Sequence, residues 1–528
     1  MKTNPTTATQ KVFCGDNIEL LKTYPDNYFD AVVTDPPYGL GKEPNAEEML
    51  RAWVTDGYLE VKGSGFMNKE WDAFIPQPIF WKEVFRVLKH GGHVVSFFGT
   101  RTYDWGVMAM RLSGFEIRDC IQWIYGSGFP KSHNISKAID KMYGAEREII
   151  GEIESGYAPL KNGHTAKGGG GGFIGEERSP KLNITISATE QAKQWDGWGS
   201  ALKPANEPIV LARKPLEKGL SIAQNVLKYG TGGINIDASR IGTETIKGQK
   251  AGQGFNNVKG FGVNTKQGEE QAKEYISEDI NGRFPNNVIF THSAECTCKL
   301  YYKTNDKEEV EEEWTCVDDC PVKILDEQSG TLNQQAISKS DNKSGWQNNY
   351  VGGGGVNAVE RKLYLDQGGA SRFFYVAKAS QAERNFGLNE FEEKQTLGGG
   401  GLTAEIKDDG SYETSSAGGK YGSVKSKRRN THPTVKPVKL MQYLVRLITP
   451  ENGIVLDPFN GSGTTGVACK IDGFNYVGMD LSDEYCAIAQ ARIDTFVEEK
   501  EFINDCKIFE SVKNELDGQT SIFDFLDE

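Results

Sequence analysis

The chain has 528 residues, 38% of them hydrophobic, with 60 lysines and arginines against 73 aspartates and glutamates, for a net charge of −13. That length is enough for roughly two to four domains, and a mean hydropathy of −0.51 suits a globular protein with polar insertions. No apolar run reaches the roughly 18 residues of a membrane span and the N-terminal MKTNPTTATQK lacks a secretory apolar stretch, so no membrane partner and a cytoplasmic location are expected, with the 9 cysteines mostly reduced.

The acidic balance by itself argues against a nucleic-acid partner, because duplex binding needs phosphate neutralisation. A basic run, KSKRRN at 425–430, offsets this locally and is equally open to reading as a solvated loop.

The first stretch alternates strand and helix. FDAVVT (29–34) reads as a buried strand that stops abruptly at Asp35-Pro36-Pro37-Tyr38. IFWKEVFRVLK (79–89) sets Phe80, Trp81, Val84, Phe85 and Leu88 on one helical face, and Gly91-Gly92 is expected to end that helix. HVVSFFG (93–99) is a further apolar strand, and FEIRDCIQWIYG (115–126) alternates like a strand near a sheet edge. The middle of the chain carries glycine tracts at 167–173, 351–356 and 397–402, whose ordering entropy predicts mobile loops. Strand-like pieces such as NEPIVLAR (206–213) lie between them.

From 431 the α/β pattern returns: a helix over 436–448 with Pro437 in its first turn, a strand over 453–459, a helix over 464–471 closed by Gly473, and a strand over 475–481. Ser482 caps a helix running to about Phe496. The expected organisation is one doubly wound sheet in two pieces, 1–145 and 431–500, interrupted by an insertion over 146–430 and followed by a tail over 501–528.

VLDPFNGSGTTG (455–466) carries chemistry. A strand ending in Asp457 enters a loop with Phe459, Gly461, Ser462 and Gly463, and Thr464 opens a helix. Such a loop lets backbone approach a nucleotide-like ligand at a helix N-terminus. Asp480, at the end of the next strand, stands where a carboxylate accepts hydrogen bonds from ribose hydroxyls. No Walker lysine follows the glycines, which argues against NTPase chemistry. A tight strand-to-helix turn with no ligand has the same local sequence.

Asp35-Pro36-Pro37-Tyr38 at a strand's carboxyl end offers a carboxylate, a main-chain carbonyl on Pro36 and a flat ring, held rigid by two prolines. Two acceptors and a stacking face match what a nucleobase amino group needs. A Pro-Pro turn with a core tyrosine is the alternative for the tetrapeptide alone.

Together, D-P-P-Y, the D-P-F-x-G-S-G-T-T-G loop and THPTVKP (431–437) resemble the DNA amino-methyltransferases, in the permuted order called the β class. The resemblance covers about 11–135 and 431–497. It implies a Rossmann-like S-adenosylmethionine-dependent methyltransferase fold split by a target-recognition insertion. It also implies double-stranded DNA as partner and transfer to adenine N6 by base flipping and direct in-line attack. Cytosine N4 is the nearest alternative, since cytosine members more often carry serine in place of the acid. An RNA or protein amino-methyltransferase, or an inactive DNA-binding relative, is further off. By the same resemblance Asp16 falls near the cofactor adenine, Phe459 over the cofactor, and Thr434 and Lys436 near its methionine end. Asp35 through Tyr38 carry the chemistry. Asp16 as a turn residue and Lys436 as a surface charge are the plainer readings. The resemblance leaves a partner restriction endonuclease open.

Two features lie outside that picture. Cys296-x-Cys298 and Cys316-x3-Cys320, with His292 upstream, could form a structural zinc knuckle or remain reduced thiols. The acidic KTNDKEEVEEEW between them is expected to loop out. The tail GQTSIFDFLDE (518–528) looks like short peptides that dock on sliding clamps, and equally like a tail folded on its own domain.

Overall fold

In a computed structural model, most apolar runs of the two α/β stretches become strands of one sheet. Residues 9–41, 43–61, 72–126, 132–154, 158–159, 165–166, 181–246, 280–293, 296–305, 307–318, 320–330, 332–333, 367–368, 370–377, 384–392, 394–398, 405–406, 412–413 and 424–495 are described. They divide into two compact units, one of 1–235 with 377–528 and one of 236–376.

In the first unit the strands of the main sheet are β1 (Gln10–Cys14), β2 (Phe29–Thr34), β3 (Leu88–Phe97), β4 (Glu116–Tyr125), β5 (Asn206–Arg213), β6 (Ile454–Asp457) and β7 (Asn475–Asp480). Their order is β1-β7-β6-β2-β3-β5-β4. The pairings from β1 through β3 are parallel, with Val32 beside Leu456 and Val94, while β5 runs antiparallel to both β3 and β4. Among its described residues the α-helices of six residues or more are α1 (Asn17–Lys22), α2 (Ala46–Thr55), α3 (Pro78–Val87), α4 (Tyr103–Leu112), α5 (Ile135–Met142), α6 (Ile222–Tyr229), α7 (Val438–Ile448), α8 (Thr464–Asp472) and α9 (Asp483–Thr495). This is the doubly wound α/β sheet expected from the alternation, with the Rossmann-like architecture that the resemblance implies.

β2 is buried at every position, which requires cover on both faces. Its one acid, Asp30, is paired with Lys89 at 2.6 Å and accepts the Ile454 N–H at 2.8 Å. α3 buries Phe80, Trp81, Val84 and Val87, and α7 buries Leu440, Met441, Leu444 and Val445. From β2 the chain crosses toward β3, and from β6 it crosses the other way, toward β7. The carboxyl ends of β2 and β6 therefore flank the point where winding reverses, the usual ligand crevice of such sheets.

Three local outcomes differ from the sequence expectation. Gly91-Gly92 does not cap α3; the helix stops at Val87 and the glycines lie inside β3. Gly91 has φ +79, and a Cβ there would stand 2.5 Å from Asn225 Nδ2, an amide bonded to the carbonyls of His90 and Thr231. NEPIVLAR, placed by the sequence in the insertion, is β5 of the sheet, and the first unit runs on to Asn235. The run expected to loop out forms the strands Thr297–Asn305 and Lys307–Thr315 of an antiparallel hairpin in the second unit. Of the glycine tracts, those at 167–173 and 351–356 and residues 399–402 of the third lie outside the described residues, as does the tail at 518–528. Lys425–Arg428 of the basic run pair as a strand with residues 394–397. No helix among the described residues is long and apolar enough to cross a membrane.

Gly463, which precedes α8, has φ +78, and a Cβ there would meet Ala489 of α9 at 2.8–2.9 Å. Gly463→Ala is expected to cost about 2–4 kcal/mol from left-handed strain and overpacking together, read by denaturant unfolding. A loss under about 0.5 kcal/mol would contradict this packing.

Candidate active site

β2 delivers Asp35 to the carboxyl edge of the sheet, and the two prolines turn the chain so that Tyr38 comes back beside it. The Tyr38 hydroxyl lies 2.9 Å from Asp35 Oδ1 and 2.6 Å from Glu207 Oε2. Lys436 Nζ donates to Asp35 Oδ2 at 2.5 Å and lies 3.2 Å from the Tyr38 hydroxyl and 3.4 Å from Glu207 Oε2. Its ammonium also sits 4.8 Å from the Phe97 ring centroid. Lys436 is only 9% exposed, so it is not the surface charge that was its plainer reading. Burial works against its charge, but Asp35 and Glu207 outweigh that and hold its pKa above the ordinary lysine value. Burial, then the same two carboxylates, push the Tyr38 phenol well above its usual range. The Pro36 carbonyl accepts no hydrogen bond from the described residues.

Glu207 was not singled out from the sequence. It is the second residue of β5, and a lone acid opening an apolar run resembles a solvated strand end.

The second half of the site is the turn from β6 into α8. Asp457, 2% exposed, accepts from Thr34 Oγ1 at 2.7 Å, Thr465 Oγ1 at 2.6 Å and the Phe459 N–H at 3.2 Å. These contacts tie β2, β6 and α8 together and leave the carboxyl little reach toward a ligand. Burial pushes its pKa up to about 7. Asp480 accepts the Gly461 N–H at 2.8 Å and the Ser482 N–H at 2.9 Å, and burial raises its pKa. Phe459 packs on Phe80, with ring centroids 5.0 Å apart. Asp16 caps α1 through the Glu19 N–H at 3.0 Å, which gives its turn reading substance without using all its acceptors.

Ser462 and Thr464 are gripped from behind. Arg492 of α9, fully buried, donates to the Ser462 carbonyl at 2.5 Å, Ser462 Oγ at 3.0 Å and Thr464 Oγ1 at 3.2 Å. Arg492 was also missed, because an arginine late in a polar helix reads as solvated. In THPTVKP, His432 Nδ1 meets the Thr434 carbonyl at 2.5 Å, while its Nε2 would lie 2.8 Å from a Cβ on Gly461. Burial lowers the His432 pKa to about 4, so the ring is neutral and donates from Nδ1. Thr434 itself is exposed.

In the second unit Cys296, Cys316 and Cys320 lie together with His292. The side chain of Cys298 is outside the described residues, although its backbone pairs with Trp314.

At the carboxyl edge of the sheet the strand-borne D-P-P-Y acid thus stands beside a glycine turn on the neighbouring parallel strand. The model of a family described as DNA methylase, N6_N4_Mtase, matches residues 29–491, and the chain belongs to that family. Among curated relatives, the type II methyltransferase M2.LlaDCHI of Lactococcus lactis subsp. cremoris is 44% identical over 63 residues, 12% of this chain and 23% of that protein. The first curated relatives it matches are spanned over only 22–27% of their own length. Among solved structures, a putative DNA modification methylase of Thermus thermophilus complexed with S-adenosyl-L-methionine gives a TM-score of 0.33 at 13% identity, covering 93% of this chain and 95% of that one. The PvuII DNA methyltransferase, cytosine-N4-specific, gives 0.33 at 11% identity, covering 92% and 86%.

Asp457 also sets a pH dependence. Unfolded, it titrates near about 3.9; folded, near about 7. The folded chain holds the extra proton in between, so this contribution to stability is complete below the unfolded value and is lost as pH rises through the folded one. Asp457→Asn is expected to flatten the fall of Tm between about pH 4 and 7. Parallel Tm profiles for the two proteins would contradict it.

Proposed function

We propose that this chain transfers a methyl group from S-adenosylmethionine to the exocyclic N6 of adenine in duplex DNA. The observation that carries this reading is the convergence of Asp35, Tyr38, Glu207 and Lys436 at the end of β2, next to the glycine turn of β6. The residues around that turn fit the cofactor: a tight glycine turn opening a helix N-terminus, the Phe459 ring, and two carboxylates, Asp16 and Asp480, with unused acceptor positions. S-adenosylmethionine held there supplies an electrophilic methyl group.

The chain's own residues make the target nitrogen reactive. The lone pair of an exocyclic amine is conjugated with its ring. Hydrogen bonds from its NH2 to Asp35 and the Pro36 carbonyl favour a pyramidal nitrogen with a free lone pair. Asp35 Oδ2 already accepts from Lys436, Oδ1 competes with the nearer Glu207 Oε2 for the Tyr38 proton, and each oxygen keeps an acceptor position. The ion pair fixes that carboxylate in place, so attack pays no reorganisation. Asp35, Glu207 and Lys436 sum to one negative charge, which favours the positive charge developing on the attacked nitrogen. No covalent enzyme intermediate is needed.

A base in the duplex cannot reach Asp35, so it must leave the stack at a cost of a few kcal/mol. Stacking on Tyr38 offsets part of this, and its hydroxyl, which gives its one proton to a carboxylate and accepts from Lys436, holds the ring in place. The acid at position 35 supports adenine over cytosine N4, by resemblance to family members that carry serine there when acting on cytosine.

Asp35→Ala is expected to abolish methylation of duplex DNA while equilibrium cofactor binding persists; turnover retained within about tenfold would overturn its role. Glu207→Gln neutralises the cluster and should lower kcat by about 10- to 100-fold with the cofactor KM nearly unchanged. An unchanged kcat would remove Glu207 from the site. Tyr38→Phe, which keeps the ring, should lose about tenfold, and Tyr38→Ala clearly more; equal losses in single-turnover assays would count against stacking.

A further inference from the structure

We infer that the second unit contains a structural zinc site, with His292 Nδ1 and the sulfurs of Cys296, Cys316 and Cys320 as its four ligands. Their ligand atoms all lie within 4.8 Å of one another. His292 Nδ1 is 3.2 Å from the Cys316 sulfur and 3.4 Å from that of Cys320. Ligands about 2.0–2.3 Å from a tetrahedral zinc stand roughly 3.5–3.8 Å apart, so small shifts convert this cluster into that geometry. Three soft sulfurs and one imidazole select zinc over hard cations that prefer oxygen.

The ligands are held by two matching turns. His292-x3-Cys296 and Cys316-x3-Cys320 share one spacing. The Cys296 N–H bonds the Ser293 carbonyl at 3.0 Å, and the Cys320 N–H bonds the Val317 carbonyl at 3.1 Å. In each turn the second ligand closes back on the residue following the first. Cys320 also stands at the N-cap of the helix Pro321–Ser329, which fixes its backbone. The His292 ring stacks on Trp314, with centroids 3.9 Å apart and planes 15° apart, fixing its orientation. Phe290 and Val322 complete the apolar surround.

The position explains the need. Cys296 immediately precedes the hairpin strand Thr297–Asn305, and Cys316 immediately follows its partner Lys307–Thr315. The four ligands close the open end of a two-stranded hairpin, a structure marginal by itself in water. One strand carries five glutamates. A metal clip at the base would hold the two strands together.

The test is elemental analysis of the full chain, purified without chelator or metal-affinity resin. One zinc per chain is expected, together with visible thiolate–cobalt bands after replacement by Co2+. Cys316→Ser and His292→Ala should each drop zinc to under about a tenth. Cys298→Ser should keep it all, because the four ligands are complete without that residue. S-adenosylmethionine binding, made in the other unit, should survive in every variant and reports that the rest of the chain is folded. Wild-type protein without zinc, zinc retained in Cys316→Ser, or zinc lost in Cys298→Ser would each overturn the assignment. None of these outcomes bears on the methyl-transfer reading, which Asp35→Ala tests separately.

Discussion

A single buried ion pair holds the active site together. Lys436 and Asp35 are 401 positions apart in the chain and 2.5 Å apart in space. An ammonium that is 9% exposed is tolerable only with carboxylate partners, because desolvation alone would strip its proton. Asp35 and Glu207 supply them. Three separate segments must therefore meet at one point: the end of β2, the start of β5 and the turn before α7. A sheet that failed to bring any one of them there would leave an unpaired charge inside. The arrangement that keeps the lysine charged also keeps Asp35 fixed and the cluster negative overall.

The glycine turn obeys a different constraint, steric rather than electrostatic. Gly461 faces His432, and Gly463 faces Ala489, at distances no Cβ could occupy. Arg492 pulls on the same turn from the α9 side. Asp457, Ser462 and Thr464 of D-P-F-x-G-S-G-T-T-G fasten the turn to the sheet and helices, and Asp480 of the next strand holds the Gly461 N–H.

Much of this was legible in the sequence because it is periodic. β2, β6 and β7 are short apolar runs bounded by turn residues, and α3 and α7 carry apolar side chains at helical spacing. The glycine turn and the D-P-P-Y corner have residue types that few other geometries use. Glu207 and Arg492 were hidden for the opposite reason: each is an ordinary charged residue whose burial is decided by distant chain. β5 was misplaced because an antiparallel strand reached after a long excursion carries no βαβ spacing. The acidic hairpin strand was hidden by composition, since glutamate is depleted in strands. The equal spacing of His292-x3-Cys296 and Cys316-x3-Cys320 was there to be read, and would have favoured His292 over Cys298 as fourth ligand.

The measurement closest to the central claim is made on DNA rather than on the protein. The intact chain, expressed in a host lacking DNA methylation, should leave N6-methyladenine at one short recurring sequence when native genomic DNA is read for modified bases. Methyl groups on cytosine N4 would keep the amino-nitrogen chemistry and reject adenine as its target. DNA with no methylated amino group, despite folded protein that binds cofactor, would contradict the account.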